Sequence, residues 1–194
     1  MKKRLIAIAL SAVMLLALAA CGSGGESLTF GTGAHPSTQM VMEVMENVVK
    51  PGFHCLDLGS GSGILSIAAL RLGAETAVGI DIDPKAEDIA RENAAYNGFA
   101  APAFTALTGN VTEDTALMDT LAANRYDLVL VNIVADVIIG LSPLVRPMLA
   151  PGGRFLCSGI IDDRAEEVAQ CLRDNGWTIA EARSSEGWFS YLCR

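Results

Sequence analysis

Asp57-Leu-Gly-Ser-Gly-Ser-Gly63, followed by Gly79-Ile-Asp-Ile-Asp83, decides the fold of this 194-residue chain. The first stretch reads as the end of a strand, a glycine turn and the start of a helix. The second reads as another strand that ends on an acidic residue. Together they make half of a nucleotide-binding α/β unit. Glycines let the backbone pass close to a ligand and turn sharply. The helix start beyond them presents free N–H groups to an anion. Asp81 stands 22 residues after Gly59, where a second strand ends beside the first. A carboxylate there can accept hydrogen bonds from both hydroxyls of a ribose.

The spacing of the glycines narrows the ligand. A dinucleotide fingerprint is Gly-x-Gly-x-x-Gly, whereas here Gly59, Gly61 and Gly63 alternate and Ile64 takes the place of the third glycine. Asp57 adds a second carboxylate at the turn. It would repel a pyrophosphate and attract an ammonium. S-adenosylmethionine carries a ribose and an amino-acid end but no phosphate, and it fits this charge pattern better than a nicotinamide dinucleotide does.

Outward from this unit, strands and helices alternate. Pro36 opens a helix over 36–49 with Val41, Val44, Met45 and Val48 on one face, and Pro51-Gly52 stops it. Strands are expected at His54–Leu58, Thr76–Asp81, Phe104–Leu107, Tyr126–Asn132 and Arg154–Ser158. Helices are expected at Ile64–Leu72, from Pro84 to Asn97-Gly98, over Thr112–Ala123, and over 134–149 with a break at Pro143. Asp162 or Asp163 is expected to cap a helix with Ala165, Val168, Ala169 and Leu172 on its buried face. Trp177–Ala182 and Trp188–Cys193 close the chain as two strands joined through Ser184–Gly187. So short a connection must be antiparallel. The apolar run in Tyr126–Asn132 is that of a central strand covered on both faces. The expected fold is α/β: a seven-stranded, mostly parallel sheet with one antiparallel strand near an edge and helices on both faces. Met40, Met42 and Met45 are read as core filling.

The composition bounds the rest. The formal net charge is −8, from 14 basic and 22 acidic residues. No basic stripe with interleaved aromatics appears, so no nucleic-acid binding is expected. The five cysteines and two histidines form no pair at metal-ligand spacing, and no metal is expected. Cys55, Cys157, Cys171 and Cys193 are read as reduced thiols, which fits a cytosolic ancestry.

The N-terminus points elsewhere. Lys2-Lys3-Arg4 precedes an apolar run, Leu5–Ala20, that is short for a membrane span and has no stop-transfer charges after it. It ends in Leu18-Ala-Ala-Cys21-Gly22, which resembles a bacterial lipoprotein cleavage box with Cys21 as the lipidated residue. The expected organisation is a signal peptide over 1–20, a flexible tether over 21–27 and a catalytic domain over 28–194.

Phe30-Gly-Thr-Gly-Ala-His-Pro-Ser-Thr38, the glycine turn through Leu65, Gly79–Pro84, Val131-Asn-Ile133 and Ser158-Gly-Ile160 resemble, in that order, the PrmA family of ribosomal-protein lysine methyltransferases. That family lies within the class I S-adenosylmethionine-dependent superfamily, and the resemblance covers about residues 28–194. It implies a Rossmann-like methyltransferase sheet, S-adenosylmethionine as cofactor and a large-subunit ribosomal protein as substrate. It implies cofactor contacts at Thr38, Gly59, Gly61, Asp81 and Asn132, with Asn132 also the candidate catalytic residue. Phe30–Gly33 would cover the cofactor. No catalytic base is assigned, because an amine that arrives neutral needs none, and His35 is read as a structural donor. Two departures stand out. Ser37 replaces a commoner threonine, and the lipoprotein-type signal stands where the family carries a domain that grips the ribosomal protein. The family implies a cytoplasmic enzyme and the signal a lipid-anchored one, with Cys21 as the link to a membrane. A gene fusion, a misplaced start or an artificial junction would each account for the conflict. The alternatives to an amine methyltransferase are a class I methyltransferase with another substrate and a noncatalytic lipid-anchored binding protein on the same scaffold.

Overall fold

The computed structural model describes residues 33–194, so the expected signal peptide, Cys21, the expected tether and Phe30–Thr32 lie outside the described residues. The elements run α1 (Pro36–Val48), β1 (His54–Leu58), α2 (Ile64–Arg71), β2 (Thr76–Asp81), α3 (Pro84–Tyr96), β3 (Phe104–Thr108), α4 (Thr115–Asn124) and β4 (Tyr126–Asn132). They continue with α5 (Ala135–Leu141), β5 (Leu149–Ile161), α6 (Ala165–Asp174), β6 (Ile179–Ser185) and β7 (Trp188–Cys193). The seven strands form one sheet in the order β3-β2-β1-β4-β5-β7-β6. Every pairing from β3 to β5 is parallel. β7 runs antiparallel between β5 and β6. The expected sheet is therefore present, with its antiparallel strand one place in from the edge.

Strand periodicity sorts the core into two layers. Leu128 and Leu130 of β4 pack with Leu156 and Leu192 under α1, α2 and α3. Val129 and Val131 pack with Phe155 and Cys157 under α4, α5 and α6. Successive side chains point to opposite faces, so a strand covered on both must be apolar throughout. This explains the unbroken run in β4. The expected methionine filling is also present: Met40, Met42 and Met45 are all buried. The described cysteines are free thiols. Burial, with Asp127 and Asp57 adding, pushes the Cys55 thiol up to about 12, so it stays protonated and inert at neutral pH.

Four local expectations are corrected. Neither Asp162 nor Asp163 caps α6; they enter a 3-10 turn with Arg164, which takes the N-cap position without a side-chain cap bond. The negative charge at this helix start comes from Glu166 and Glu167 instead, which suits the helix dipole. Trp177 is not in a strand; it is buried and its indole N–H donates to Ser142 O at 2.9 Å. α4 starts only at Thr115, because the Asp114 carboxylate accepts from Leu117 N at 2.9 Å and caps it there. The turn at Pro151–Gly153 is real but lies inside β5. Tyr126 pairs with Leu149 and Leu128 with Arg154, so residues 150–153 bulge out opposite a single residue of β4.

Candidate functional site

The order of the strands reverses between β1 and β4, which makes the crevice beyond their carboxyl ends the favoured ligand position. The glycine turn opens there. Gly59 and Ser60 both donate their N–H to Ile80 O, at 2.8 and 3.0 Å, and so tie the end of β1 to the end of β2. Gly61 N donates to one carboxylate oxygen of Asp81 at 2.9 Å, and Asp83 N donates to the other at 3.0 Å. Asp81 thus braces the turn from across the crevice. Gly59 and Gly61 sit at φ 76° and 51°, where a side chain would be strained.

The Asp57 carboxylate is 2% exposed and accepts from Ser66 N at 3.2 Å and Ser66 Oγ at 2.9 Å. Burial raises its pKa from 3.8 to about 6, against the pull of the two Ser66 bonds and with the charge of Asp81 adding. Burial thus opposes the charged form, which a cation placed beside it would favour.

At the far side, Asn132 Nδ2 donates to Thr38 Oγ1 at 3.1 Å, joining the end of β4 to the first turn of α1 across 94 residues. This leaves the Asn132 carboxamide oxygen as an acceptor. Ser158 anchors the same helix start: its hydroxyl donates to Phe189 O at 3.0 Å and reaches Ser37 O at 3.4 Å. Gly159 is obligatory beside it. A Cβ there would lie 2.5 Å from Ile133 O, so only glycine lets β5 pass the end of β4. His35 caps α1, its ring nitrogen accepting from Ser37 N at 3.3 Å. Its ring stacks edge-on against Trp188 at 4.6 Å between centroids. These contacts are structural, but at the cap the ring accepts a hydrogen bond where a donor was expected.

Thr38, Gly59, Gly61, Asp81 and Asn132 line a single cavity of about 340 Å³ together with Asp57. All five described candidate residues are therefore together; Cys21 lies outside the described residues. A second cavity, about 570 Å³, adjoins the first and shares Gly59, Asp81 and Ile133 with it. Its far wall comprises Gly109, Asn110 and Val111, which sequence reasoning missed. The signal was available: Gly109-Asn110 follows β3 at the carboxyl end of the sheet. Among the described residues, the charged ones in the two cavities are Asp57, Asp81 and Asp136, and no Lys or Arg lines either. Such a trough favours a cationic ligand and opposes a pyrophosphate.

Comparison with known proteins gives a consistent result. The family profile described as "Ribosomal protein L11 methyltransferase (PrmA)" matches residues 25–194. The ribosomal protein L11 methyltransferase of Symbiobacterium thermophilum is 42% identical over 165 residues, which are 85% of this chain and 51% of that protein. The ribosomal protein L11 methylase structure from Lactobacillus delbrueckii subsp. bulgaricus matches with a TM-score of 0.74 at 28% identity, over 84% of this chain and 79% of that one. An RNA methyltransferase from Salinibacter ruber, solved in complex with S-adenosyl-L-homocysteine, matches with a TM-score of 0.60 over 81% of this chain and 92% of that one. At 24% identity it speaks for the fold alone. This chain spans about half the length of the curated relatives it matches.

Proposed function

The chain belongs to the PrmA family of ribosomal protein L11 methyltransferases, and from that premise we propose that it is an S-adenosylmethionine-dependent N-methyltransferase acting on amines of ribosomal protein L11, lysine side chains and the N-terminus among them. The observation that carries this reading is the acidic trough, in which Asp81 stands where the two cavities meet and Asp57 lies in the first. When bound, S-adenosylmethionine supplies a methyl group on a sulfonium, a leaving group good enough that positioning of a neutral amine provides most of the rate.

The chain's own residues then have separate tasks. The Asp81 carboxylate accepts from the ribose hydroxyls with the lone pairs that Gly61 and Asp83 do not use. Gly59 and Gly61 allow the ligand's amino-acid end to lie against the backbone. Asp57 balances the ammonium. Thr38 holds the Asn132 carboxamide, whose free oxygen accepts from the amine N–H and so aims the nitrogen lone pair. Gly109–Val111 line the second cavity, which would hold the base.

The test is methylation of purified ribosomal protein L11 by the full chain, alongside calorimetric binding of S-adenosylhomocysteine. Asn132→Ala is expected to lower kcat roughly 10- to 100-fold, by the loss of one positioned hydrogen bond and its alignment. Cofactor affinity should change much less. A variant with normal turnover and lost cofactor binding would move Asn132 to a purely cofactor-holding role. Cofactor binding with no methylation of L11 would favour another substrate, and absence of both would favour a noncatalytic scaffold.

We also propose that Lys2–Cys21 directs lipidation at Cys21 when the chain is made in bacteria, on the strength of the basic start, the apolar run and the Leu-Ala-Ala-Cys ending. Mass spectrometry should find Cys21 acylated at a new N-terminus. An intact, unmodified Met1–Ala20 segment on the product would refute it, and would leave the cytoplasmic location of the family as the reading.

A further inference from the structure

A third cavity, about 440 Å³, lies at the opposite end of the sheet, under the amino ends of β4 and β5. β4 has seven residues, so roughly 20 Å of strand separates the two ends. Among the described residues, the cavity is lined by Arg125, Arg146, Arg154 and Arg194 around the Pro151–Gly153 bulge, and by no Asp or Glu side chain. That gathers four of the 14 basic residues of a chain whose net charge is −8.

None of the four makes an ion pair among the described residues. The described ion pairs use Arg91, Arg164, Arg173 and Arg183, and none of these lines the cavity. Two of the four are braced rather than paired. Arg125 donates to Leu149 O at 3.1 Å. Arg146 donates to Gly176 O at 2.9 Å and lies 4.1 Å over the buried Trp177 ring. A guanidinium has five N–H donors, so these anchors leave most of each fork free. Arg154 and Arg194 are exposed, and their side chains make no hydrogen bond or ion pair within the described residues. The Arg194 backbone is nevertheless held, exchanging hydrogen bonds with Thr178 at 2.9 and 3.0 Å.

We propose that this cavity binds a phosphate-bearing anion, clamped between guanidinium groups on two sides of the β5 bulge. Like charges gathered without counter-charges repel one another. A ligand that offsets several of them must carry more than one negative charge and offer oxygens to planar forks, which phosphates do. A single carboxylate answers only one fork. The four residues span 125 to 194, with no run among them, which is why the linear sequence shows no basic stripe.

The test is calorimetric titration of the full chain with sodium tripolyphosphate and, separately, with a short single-stranded RNA. Saturable binding near one site per chain is expected, weakening several-fold as salt rises from low to physiological. The double variant Arg154→Gln/Arg194→Gln removes two exposed, unpartnered side chains, so it should keep the wild-type melting temperature and lose binding 10-fold or more. Arg173→Gln, on α6 and paired with Glu166, should leave binding unchanged. RNA bound at least 10-fold tighter than tripolyphosphate would identify a nucleic-acid backbone as the source of phosphate; equal affinity would identify a free phosphate compound. No binding at millimolar tripolyphosphate would overturn the proposal. So would equal loss in Arg173→Gln, or equal binding of polyglutamate, which would make the cavity a seat for an acidic protein segment.

Discussion

Replacing Asp81 with alanine is expected to weaken binding of S-adenosylhomocysteine 10- to 100-fold while leaving the sheet folded. Two losses combine. The ribose hydroxyls lose an ionised acceptor, and hydrogen bonds to a charged group contribute about 1.5–3 kcal/mol each, where 1.4 kcal/mol is a factor of ten. The glycine turn also loses its brace, since Gly61 N and Asp83 N both bond this carboxylate. Asp81 is only partly buried, so the two freed N–H groups can turn to water, and the stability cost should stay near 1 kcal/mol. Asp81→Asn separates the two effects. Its amide oxygen can still accept from Gly61 N, but its NH2 cannot accept from Asp83 N, so it should restore part of the stability and only part of the affinity. Wild-type affinity in the alanine variant would end the ribose assignment. Recovery of full affinity by asparagine would mean that bracing the turn, and not contact with the ligand, is what Asp81 does.

Much of this site was legible because the residues that make it sit where strands end. A Gly-x-Gly-x-Gly turn after β1, an acid at the end of β2 and an asparagine at the end of β4 must converge once the sheet is parallel and its order reverses between β1 and β4. The Asn132–Thr38 contact follows from the same geometry, with α1 laid across the carboxyl end. Less legible were features that depend on tertiary packing. Nothing local in Asn175-Gly-Trp177 distinguishes a strand start from a buried plug. The choice is made by Ser142 O, 35 residues away, which accepts the indole N–H. Asp162 and Asp163 look like helix caps, yet the helix starts after Arg164, which is held by Asp136 at 2.7 Å and by Glu167. The Gly109-Asn110 wall was missed because β3 is short and weakly apolar and drew no attention to its own end. The arginine cavity was illegible in one dimension because the bulge in β5 and the closing strand β7 bring its parts together.

Asp57 offers the sharper experiment, because in it stability and function oppose each other. Its folded-state pKa is raised from 3.8 to about 6, chiefly by burial. The folded chain therefore holds a proton that the unfolded chain has released between those two values. Stability then falls as pH rises from about 4 to 6, and the loss is complete above pH 6. At about 1.4 kcal/mol per unit, the ionised group costs the ligand-free protein roughly 3 kcal/mol at neutral pH. Asp57→Asn keeps an oxygen to accept from Ser66 N and Oγ, which now bond this side chain, but it carries no charge. The variant should therefore be more stable than wild type by roughly 1–3 kcal/mol at pH 7.5, a gain of several degrees in melting temperature for a chain of this size. That advantage should shrink towards pH 4, where wild-type Asp57 is itself neutral. Cofactor affinity should move the other way. An ammonium-bearing ligand needs the ionised form, so wild-type binding should tighten as pH rises through about 6. Asp57→Asn should bind about 10-fold more weakly at pH 7.5, with a flat profile, and the two proteins should converge near pH 5. Calorimetric titrations and thermal melts across pH 4.5–8 read both arms. A variant less stable than wild type at neutral pH would mean that the carboxylate makes structural bonds beyond those to Ser66. Parallel pH profiles of affinity would mean that the ligand's positive end does not lie against Asp57, and that Asp81 alone supplies the negative charge the ligand meets.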